Sequence, residues 1–560
     1  MSGHGPGDRL PQDSRVDRRS FLARMGALTA AAAAGRPFPL EAMGTGASLP
    51  RRSRPPGEAD FWDRLPEPGS QGAGLEDLSA WEAGALLRRR EITSRELVEA
   101  CLERIRRWDG VYQAFNALTE EEALRQADAL DRGRGGATGR GGPAVEGLLH
   151  GIPLAIKDNF YTRGVATTAN SHIFRDFVPE WTATAVVRLQ EEGGVMLGKT
   201  QMGPLATTRA LTPDGEITTL NAWAPGDASV NPGGSSSGSA TATASRMALS
   251  SIGTQTGGSI TAPSLAQGLT GLKPTMGRVS LRGVIPLTYS RDHVGPLARD
   301  ARDAALLLQA MAGPDPADPR TQGLPAVPDY LAAVSPWPGL GAGRLPWATR
   351  IGVMPGWADG DGAEAGLRRD FLREMEKAGA DLVPVDPGER WRELSSGEMN
   401  SVRLPERSEP FLEWLREDVR LFGVSLSSWI QGLLLSGDEF VKGQRARYAL
   451  LRLTLDRIFD RCDVVLLESH LAFDQTGLPL VALPVGFTTE TGGRRHPQGI
   501  LVGGAPFGEE RLLALAHAWQ ERTDHHRQRP PDPGARDEAR YRGRAPRGRL
   551  DVETVAELSQ

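Results

Sequence analysis

Two stretches rich in glycine and small hydroxyl residues stand near the middle of this 560-residue chain, at 231–240 and 253–260. Taken alone, the first stretch (NPGGSSSGSA) suits a flexible linker and the second (GTQTGGSI) a tight turn. The alternating alanines and threonines after the first stretch favour a closely packed helix instead. Ile252 then leads into the second stretch. The sequence therefore predicts a strand-to-turn junction at this place.

Short apolar strands alternate with helical patterns on both sides of this junction. The strand patterns lie at 151–158, 194–197, 351–353, 382–385, 464–467 and 480–483. The helical patterns lie at 182–191, 363–378 and 509–521. Thr93 and Glu96 also form the sequence signature of a capping box. Apolar strands between helices predict an α/β fold with a sheet covered on both faces.

Composition excludes several classes of protein. Lysine and arginine number 65 against 70 acidic residues, a near-neutral balance that argues against nucleic acid as the main partner. No run of about 18 apolar residues occurs, so we expect no stable membrane insertion. Cys101 and Cys462 are too few for a disulfide scaffold or a multi-cysteine zinc module. A single disulfide between them is the remaining alternative, although isolated buried thiols are favoured.

The ends of the chain differ from its body. Arg18 and Arg19 precede a mildly apolar, alanine-rich run, so residues 1–47 are interpreted as a twin-arginine-like signal and processing region. This interpretation predicts an exported protein, periplasmic or extracellular; the alternative is an alanine-rich tail with a chance arginine pair. Residues 48–74 are predicted to be a Pro/Gly-rich linker, and 526–560 a basic, disordered tail.

The second glycine stretch suits acyl transfer. A serine that follows two glycines, as Ser259 does, can lie where backbone N–H groups converge on the negative oxygen of an attacked carbonyl. A serine hydroxyl also needs a base. A Ser-His-Asp triad is one candidate, but the only G-x-S-x-G match, at 234–238, runs into the alanine-rich helix.

Lysine is the other candidate base. Lys157 follows the mostly apolar residues 152–156, and burial lowers the pKa of a lysine so that part of it is neutral. A neutral amine accepts a proton. The alternative is a lysine that extends to solvent from a strand end, as Lys199 and Lys273 also could.

Three segments, 151–158, 233–240 and 253–263, together resemble the amidase signature family of serine hydrolases. Further matching segments lie at 268–275, 277–280, 292–299, 476–479, 484–487 and 507–513. The resemblance spans residues 75–525 and implies a single large α/β domain with a mixed central sheet covered by helices on both faces. It implies that 320–460 is the variable part that shapes the substrate pocket.

The resemblance also implies the roles of the site residues. Ser259 would be the acylated nucleophile, Ser235 the bridging serine in a cis peptide, and Lys157 the base. The backbone amides of the loop would form the oxyanion hole: Thr256, Gly257, Gly258 and Ser259. The family implies no metal ion and no organic cofactor.

The chain departs from the family pattern at two positions. Gln255 stands where an acidic residue is usual, and Thr261 where an arginine is frequent. If those two residues normally pair, the loss of both leaves no unmatched buried charge. We expect a Gln255–Thr261 hydrogen bond in place of the pair.

Three functions are compatible with these residues. The main interpretation is an exported amidase that hydrolyses a small-molecule carboxylic amide to the acid and ammonia or an amine. The second is an ammonia-producing enzyme like the A subunit of glutamyl-tRNA amidotransferase, and the third a non-catalytic binding protein on the same fold. The rings of the variable part are expected to be core rather than pocket lining: Trp391, Phe411, Trp414 and Trp429.

Overall fold

The computed structural model describes residues 58–68, 74–135, 147–490, 493–541 and 548–558. The predicted signal region at 1–47 lies outside these ranges. Within them, one sheet organises the chain, and its strands come from widely separated parts of the sequence.

The sheet of the described chain has 11 strands in the order β1-β3-β2-β4-β6-β5-β10-β11-β9-β7-β8. Strands β1 to β11 are Phe115–Leu118, Pro153–Lys157, Val195–Thr200, Ser250–Gln255, Thr270–Lys273, His293–Ala298, Thr349–Val353, Ala380–Pro384, Val464–Leu467, Leu480–Thr489 and Arg495–Gly504. The β3-β2-β4 and β9-β7-β8 neighbours are parallel. The other neighbours are antiparallel, so the sheet is mixed, as expected.

Helices cover both faces of this sheet. Every residue of β2, β3 and β4 is buried, and because successive side chains point to opposite faces, neither face meets solvent there. Helices α1 to α19 are Glu58–Arg64, Ala80–Arg89, Ser94–Tyr112, Glu120–Gly135, Thr184–Glu191, Ser237–Ala244, Thr261–Gln267, Ala301–Met311, Ala363–Ala378, Glu389–Leu394, Gly397–Asn400, Leu404–Ser408, Leu412–Glu417, Leu426–Leu434, Gly437–Thr454, Leu471–Thr476, Glu509–Arg522, Ala535–Tyr541 and Val552–Leu558.

The length and hydropathy of each helix show whether it could span a membrane. In the described ranges, no single helix is both long and apolar enough to cross a membrane. The bent pair Val419–Leu434 and Gly437–Phe459, with an angle of 96° between its halves, reaches that length and composition only as a pair.

The strand-to-turn junction forms as the sequence predicts. Strand β4 ends at Gln255 and is followed by a turn into α7, while the small residues after Ser236 form the fully buried helix α6. Small side chains allow this helix to pack directly on the sheet, because a bulkier side chain would hold the backbones apart. The predicted capping box is also present, with Thr93 and Glu96 exchanging hydrogen bonds at the start of α3.

The two ends of the domain differ from the sequence expectation. The predicted linker contains helix α1, whose Phe61 is buried. The predicted disordered tail folds back on the body: Val555 packs with Leu211 and Val424, and Asp532 pairs with Arg104 at 2.7 Å. A few apolar side chains and ion pairs thus hold a segment whose composition alone indicates disorder.

Two smaller expectations concern side chains of the core. Cys101 and Cys462 are separate, buried, free thiols, so no disulfide joins them. Phe411 packs edge-on against Trp429 and beside Trp414, with ring centroids 5.8 and 5.7 Å away. Trp391 is buried with its indole N–H donated to Thr454 Oγ1. Trp391, Phe411 and Trp429 are core residues, as expected, whereas Trp414 is partly buried and packs against the core.

Candidate active site

Lys157 is the last residue of β2, between the parallel strands β3 and β4, and its side chain is fully buried. Its Nζ lies 2.8 Å from Ser235 Oγ and 2.8 Å from Thr254 Oγ1. Asn159 Nδ2 donates to the same threonine hydroxyl at 3.0 Å. The lysine is therefore held in one place by hydroxyl groups.

Lys157 has no ion-pair partner among the described residues. No carboxylate oxygen of those residues lies within 4.0 Å of its Nζ, whereas the neighbouring buried Lys199 pairs with Asp158 at 3.1 Å. Burial lowers the pKa of Lys157 to about 7, against a smaller opposite effect of the Asp292 charge. The amine is therefore partly neutral near pH 7 and can accept a proton. Because the side chain is buried, the alternative of a lysine that extends to solvent is excluded.

Ser235 is completely buried and follows a cis peptide bond from Gly234, as the family resemblance implies. The turn needs glycine at 234, because a Cβ there would lie 2.4 Å from the carbonyl oxygen of Thr208. The Ser235 carbonyl accepts a hydrogen bond from Gly203 N at 3.1 Å. The backbone thus presents the Ser235 hydroxyl to Lys157.

Ser259 lies in the turn between β4 and α7, and 5% of it is exposed. Its Oγ forms no hydrogen bond with any described residue, whereas Ser235 Oγ bonds with Lys157. The structure thus holds the first half of the expected Lys157–Ser235–Ser259 relay as a hydrogen bond and leaves the second half open. Catalytic hydrogen bonds often tighten only when substrate is bound.

The loop amides differ from the expectation at one position. Gly258 N donates to Asp474 Oδ2 at 2.9 Å, so this amide is already engaged. The amides of Thr256, Gly257 and Ser259 have no acceptor in the described part of the protein. Three loop amides, rather than the four expected, are thus left without an acceptor among the described residues.

The expected Gln255–Thr261 hydrogen bond is present. Gln255 Oε1 accepts from Thr261 Oγ1 at 3.2 Å and from the amides of Ile260 and Thr261 at 2.9 Å each. Its Nε2 donates to Asp474 Oδ1 at 2.8 Å. The glutamine thus ties the start of α7 to a buried carboxylate that comes from a distant part of the chain.

Asp474 and His470 are site residues that the sequence reasoning missed. Burial acts to raise the pKa of Asp474, but His470, Lys273 and Arg291 outweigh it and lower this pKa to about 2. His470 Nδ1 lies 2.6 Å from Asp474 Oδ2, and a Cβ at Gly258 would lie 2.8 Å from His470 Nε2. The i, i+4 spacing of the pair was the available signal.

His470 does not complete a Ser-His-Asp triad. Its ring touches Gly258, but among the described contacts no hydrogen bond joins it to Ser259 Oγ. The G-x-S-x-G match also fails, because Ser236 donates its hydroxyl to the Thr254 carbonyl at 3.3 Å. As to metals, the described residues contain no group of three histidine, cysteine or acidic side chains that could hold an ion.

Gln255→Glu tests the buried network. The variant would set a second carboxylate against Asp474 with no additional cation, and an uncompensated buried charge costs about 3–5 kcal/mol. We expect the free energy of unfolding at pH 7 to fall by that amount, measured by urea denaturation. The loss should shrink at lower pH, because one carboxyl group of the pair then takes up a proton.

Asp474→Asn supplies the matched control. Combined with Gln255→Glu, it restores one carboxylate and one amide with their positions exchanged, so most of the lost stability should return. A double variant no more stable than Gln255→Glu alone would show that the 255–474 contact does not carry the effect.

Comparison with known proteins shows similarity to amidases. The family model described as Amidase matches residues 96–399. The A subunit of glutamyl-tRNA(Gln) amidotransferase from Moorella thermoacetica (strain ATCC 39073 / JCM 9320) is 34% identical over 499 residues, 81% of this chain and 98% of that protein. The putative amidase AmiD of Mycobacterium bovis (strain ATCC BAA-935 / AF2122/97) is 33% identical, covering 82% and 96%.

Solved structures show the same similarity. Native peptide amidase from Stenotrophomonas maltophilia superposes with a TM-score of 0.65 at 28% identity, covering 81% of this chain and 98% of that one. The mixed sheet and the matched sequence thus both indicate the amidase family. The chain belongs to the amidase family and is an amidohydrolase.

Proposed function

We propose that the protein hydrolyses a small-molecule carboxylic amide to the acid and ammonia or an amine, through an acyl-enzyme on Ser259. The observation that carries this proposal is the 2.8 Å contact between Ser235 Oγ and the buried Lys157 amine, which has no carboxylate partner among the described residues. An amine with a pKa of about 7 is a suitable base at neutral pH.

The proposed reaction begins with proton transfer. Ser259 Oγ attacks the substrate carbonyl while its proton passes to Ser235 Oγ, and the proton of Ser235 passes to Lys157 Nζ. Lys157 Nζ then returns a proton to Ser235 Oγ, and the Ser235 hydroxyl gives its proton to the leaving nitrogen as the C–N bond breaks. Water attacks the resulting ester by the same route, which releases the acid and restores Ser259.

The loop between β4 and α7 is proposed to supply the electrostatic stabilisation of the transition state. The amides of Thr256, Gly257 and Ser259 are the donors proposed to face the negative oxygen, and each such donor contributes about 10²–10³ to the rate in a characterised hydrolase. Gly258 serves a different purpose, since its amide anchors the loop to Asp474.

Ser259 should be the residue that a serine-directed fluorophosphonate modifies. We expect peptide mass spectrometry to find the adduct on Ser259 in the wild type, none in Ser259→Ala, and labelling about 10²–10⁴-fold slower in Lys157→Ala, because the base is lost. Lys377→Ala, which removes an exposed lysine, is the control. Labelling elsewhere, or none under any condition, would favour a non-catalytic binding protein.

The pH dependence of the reaction follows from Lys157. Only the neutral amine accepts the proton, so kcat/KM for amide hydrolysis should rise about tenfold per unit below pH about 7 and level off above it. The same rise should appear in the rate of fluorophosphonate labelling. A flat profile from pH 5.5 to about 8.5 would contradict a base with this pKa.

A second candidate is the ammonia-producing amidotransferase function. It is favoured by the similarity to the Moorella thermoacetica protein, which extends over 98% of that protein. The site chemistry would be the same, with ammonia passed to a partner rather than released. Such a function belongs in the cytoplasm, so location separates the two candidates.

Export by the twin-arginine route is proposed from Arg18 and Arg19. A reporter fused to residues 1–50 should reach the periplasm in a bacterial host, and Arg18→Lys with Arg19→Lys should keep it in the cytoplasm. A reporter retained in the cytoplasm in both forms would favour the amidotransferase candidate.

A further inference from the structure

A group of buried arginines lies beside the candidate site. Arg291 lies two residues before the start of β6 and is 1% exposed, and Arg407 lies in α12 and is 2% exposed. Arg403 and Arg447 are buried as well. Each guanidinium keeps its charge at neutral pH, so this group requires compensation that an apolar core does not provide.

Two of these guanidinium groups lack hydrogen-bond acceptors for some of their N–H groups. Among the described residues, Arg291 Nε and Nη2 and Arg407 Nε and Nη1 are buried nitrogen atoms with no acceptor. Arg291 donates through Nη1 to Asn400 Oδ1 at 2.7 Å, and Arg407 stacks 5.5 Å from the centre of the Trp429 ring. These contacts leave four N–H-bearing atoms unsatisfied.

The nearby carboxylates are engaged by other groups. Asp474, whose charge acts on Arg291, accepts from Gln255 Nε2 and Gly258 N and contacts His470. Glu406 accepts from Ser290 N and Oγ at 2.8 Å each. Asp292 accepts from Thr256 Oγ1 and from the amides of Leu287 and Thr288. Within the described ranges, no carboxylate lies within 4.0 Å of Arg291 or Arg407.

Electrostatics agree with an excess of positive charge. Burial lowers the pKa of Arg291 to about 9, and the charges of Arg403 and Arg447 act in the same direction, against opposite effects of Asp474 and Glu406. Burial likewise lowers the pKa of Arg407 to about 10, and the charge of Arg291 adds to this effect, against an opposite effect of the Asp292 charge. The two guanidinium groups repel each other, so an anion that bridged them would relieve the repulsion and accept their free N–H groups.

We propose that Arg291 and Arg407 form a binding site for a small oxyanion of the size of a carboxylate. The backbone at Arg291 adjoins the reacting loop, since His293 Nδ1 lies 2.6 Å from the Arg291 carbonyl oxygen and 3.3 Å from that of Gln255, and Asp292 accepts from the Thr256 hydroxyl. Two sources share this chemistry: a carboxylate carried by the amide substrate, which rests on the proposed function, and a free anion that neutralises the arginines.

Matched substrates test the first source. Succinamate and butyramide, and glutaramate and pentanamide, differ only by a terminal carboxylate in place of a methyl group. If the substrate supplies the anion, kcat/KM should favour the carboxylates by roughly tenfold or more in the wild type, the worth of a hydrogen bond to a charged group. This preference should disappear in Arg407→Met, persist in part in Arg407→Lys and be unchanged in Arg416→Met, which removes an exposed arginine.

Free acetate and phosphate test the second source. If a free anion occupies the site, either salt at millimolar concentration should raise the melting temperature of the wild type saturably, with no preference among the substrate pairs. The shift should vanish in Arg407→Met. Wild-type melting needs no variant, so it decides the question even if Arg407→Met fails to fold.

The outcomes separate the two proposals. If the wild type hydrolyses none of these amides but acetate still raises its melting temperature saturably, the anion site stands and the proposed function fails. If neither a carboxylate preference nor a saturable anion effect occurs in the wild type, the anion site is overturned, whatever the hydrolytic activity.

Discussion

The burial of one lysine with no carboxylate partner in the described chain is the constraint on which the site depends. Lys199 occupies the neighbouring strand and is equally buried, yet its charge is matched by Asp158. Lys157 meets hydroxyl and carbonyl groups instead, and this difference lets its pKa fall to about 7. Strand order enforces the difference, because β2 lies between β3 and β4 and brings the amine to Thr254.

A second constraint is the buried Asp474 carboxylate. It accepts from the Gly258 amide and from Gln255 while it contacts His470, so one residue connects the loop, the end of β4 and the surface. The chain lacks the usual acidic residue at 255, and a carboxylate 219 residues further on contacts that position instead. In this chain the loop is thus anchored by a carboxylate from outside the glycine stretch.

Sequence patterns predicted the parts of the structure that local composition determines. Lys157, Ser235 and Ser259 stand at strand ends or in glycine turns, and the family motif locates each one. His470 and Asp474 carry only their i, i+4 spacing as a local signal, and Thr254 carries none, since the importance of all three comes from what they face across the fold. The same limit explains why the sequence does not reveal the contact of the Gly258 amide, whose acceptor lies 216 positions away. Strand β6 escaped prediction because Gly295 and Pro296 interrupt its apolar run.

The folded carboxy-terminal segment has a consequence for how the protein is handled. Val555 packs on Leu211, and the adjoining Ala210 amide donates to Ser237 Oγ at 2.9 Å, two residues beyond the bridging serine. Proteolytic trimming or a bulky fusion at this end would uncover Leu211 and Val424 and loosen the segment behind the cis peptide. Preparations of uneven length would therefore differ in solubility and in specific activity, even with every catalytic side chain intact.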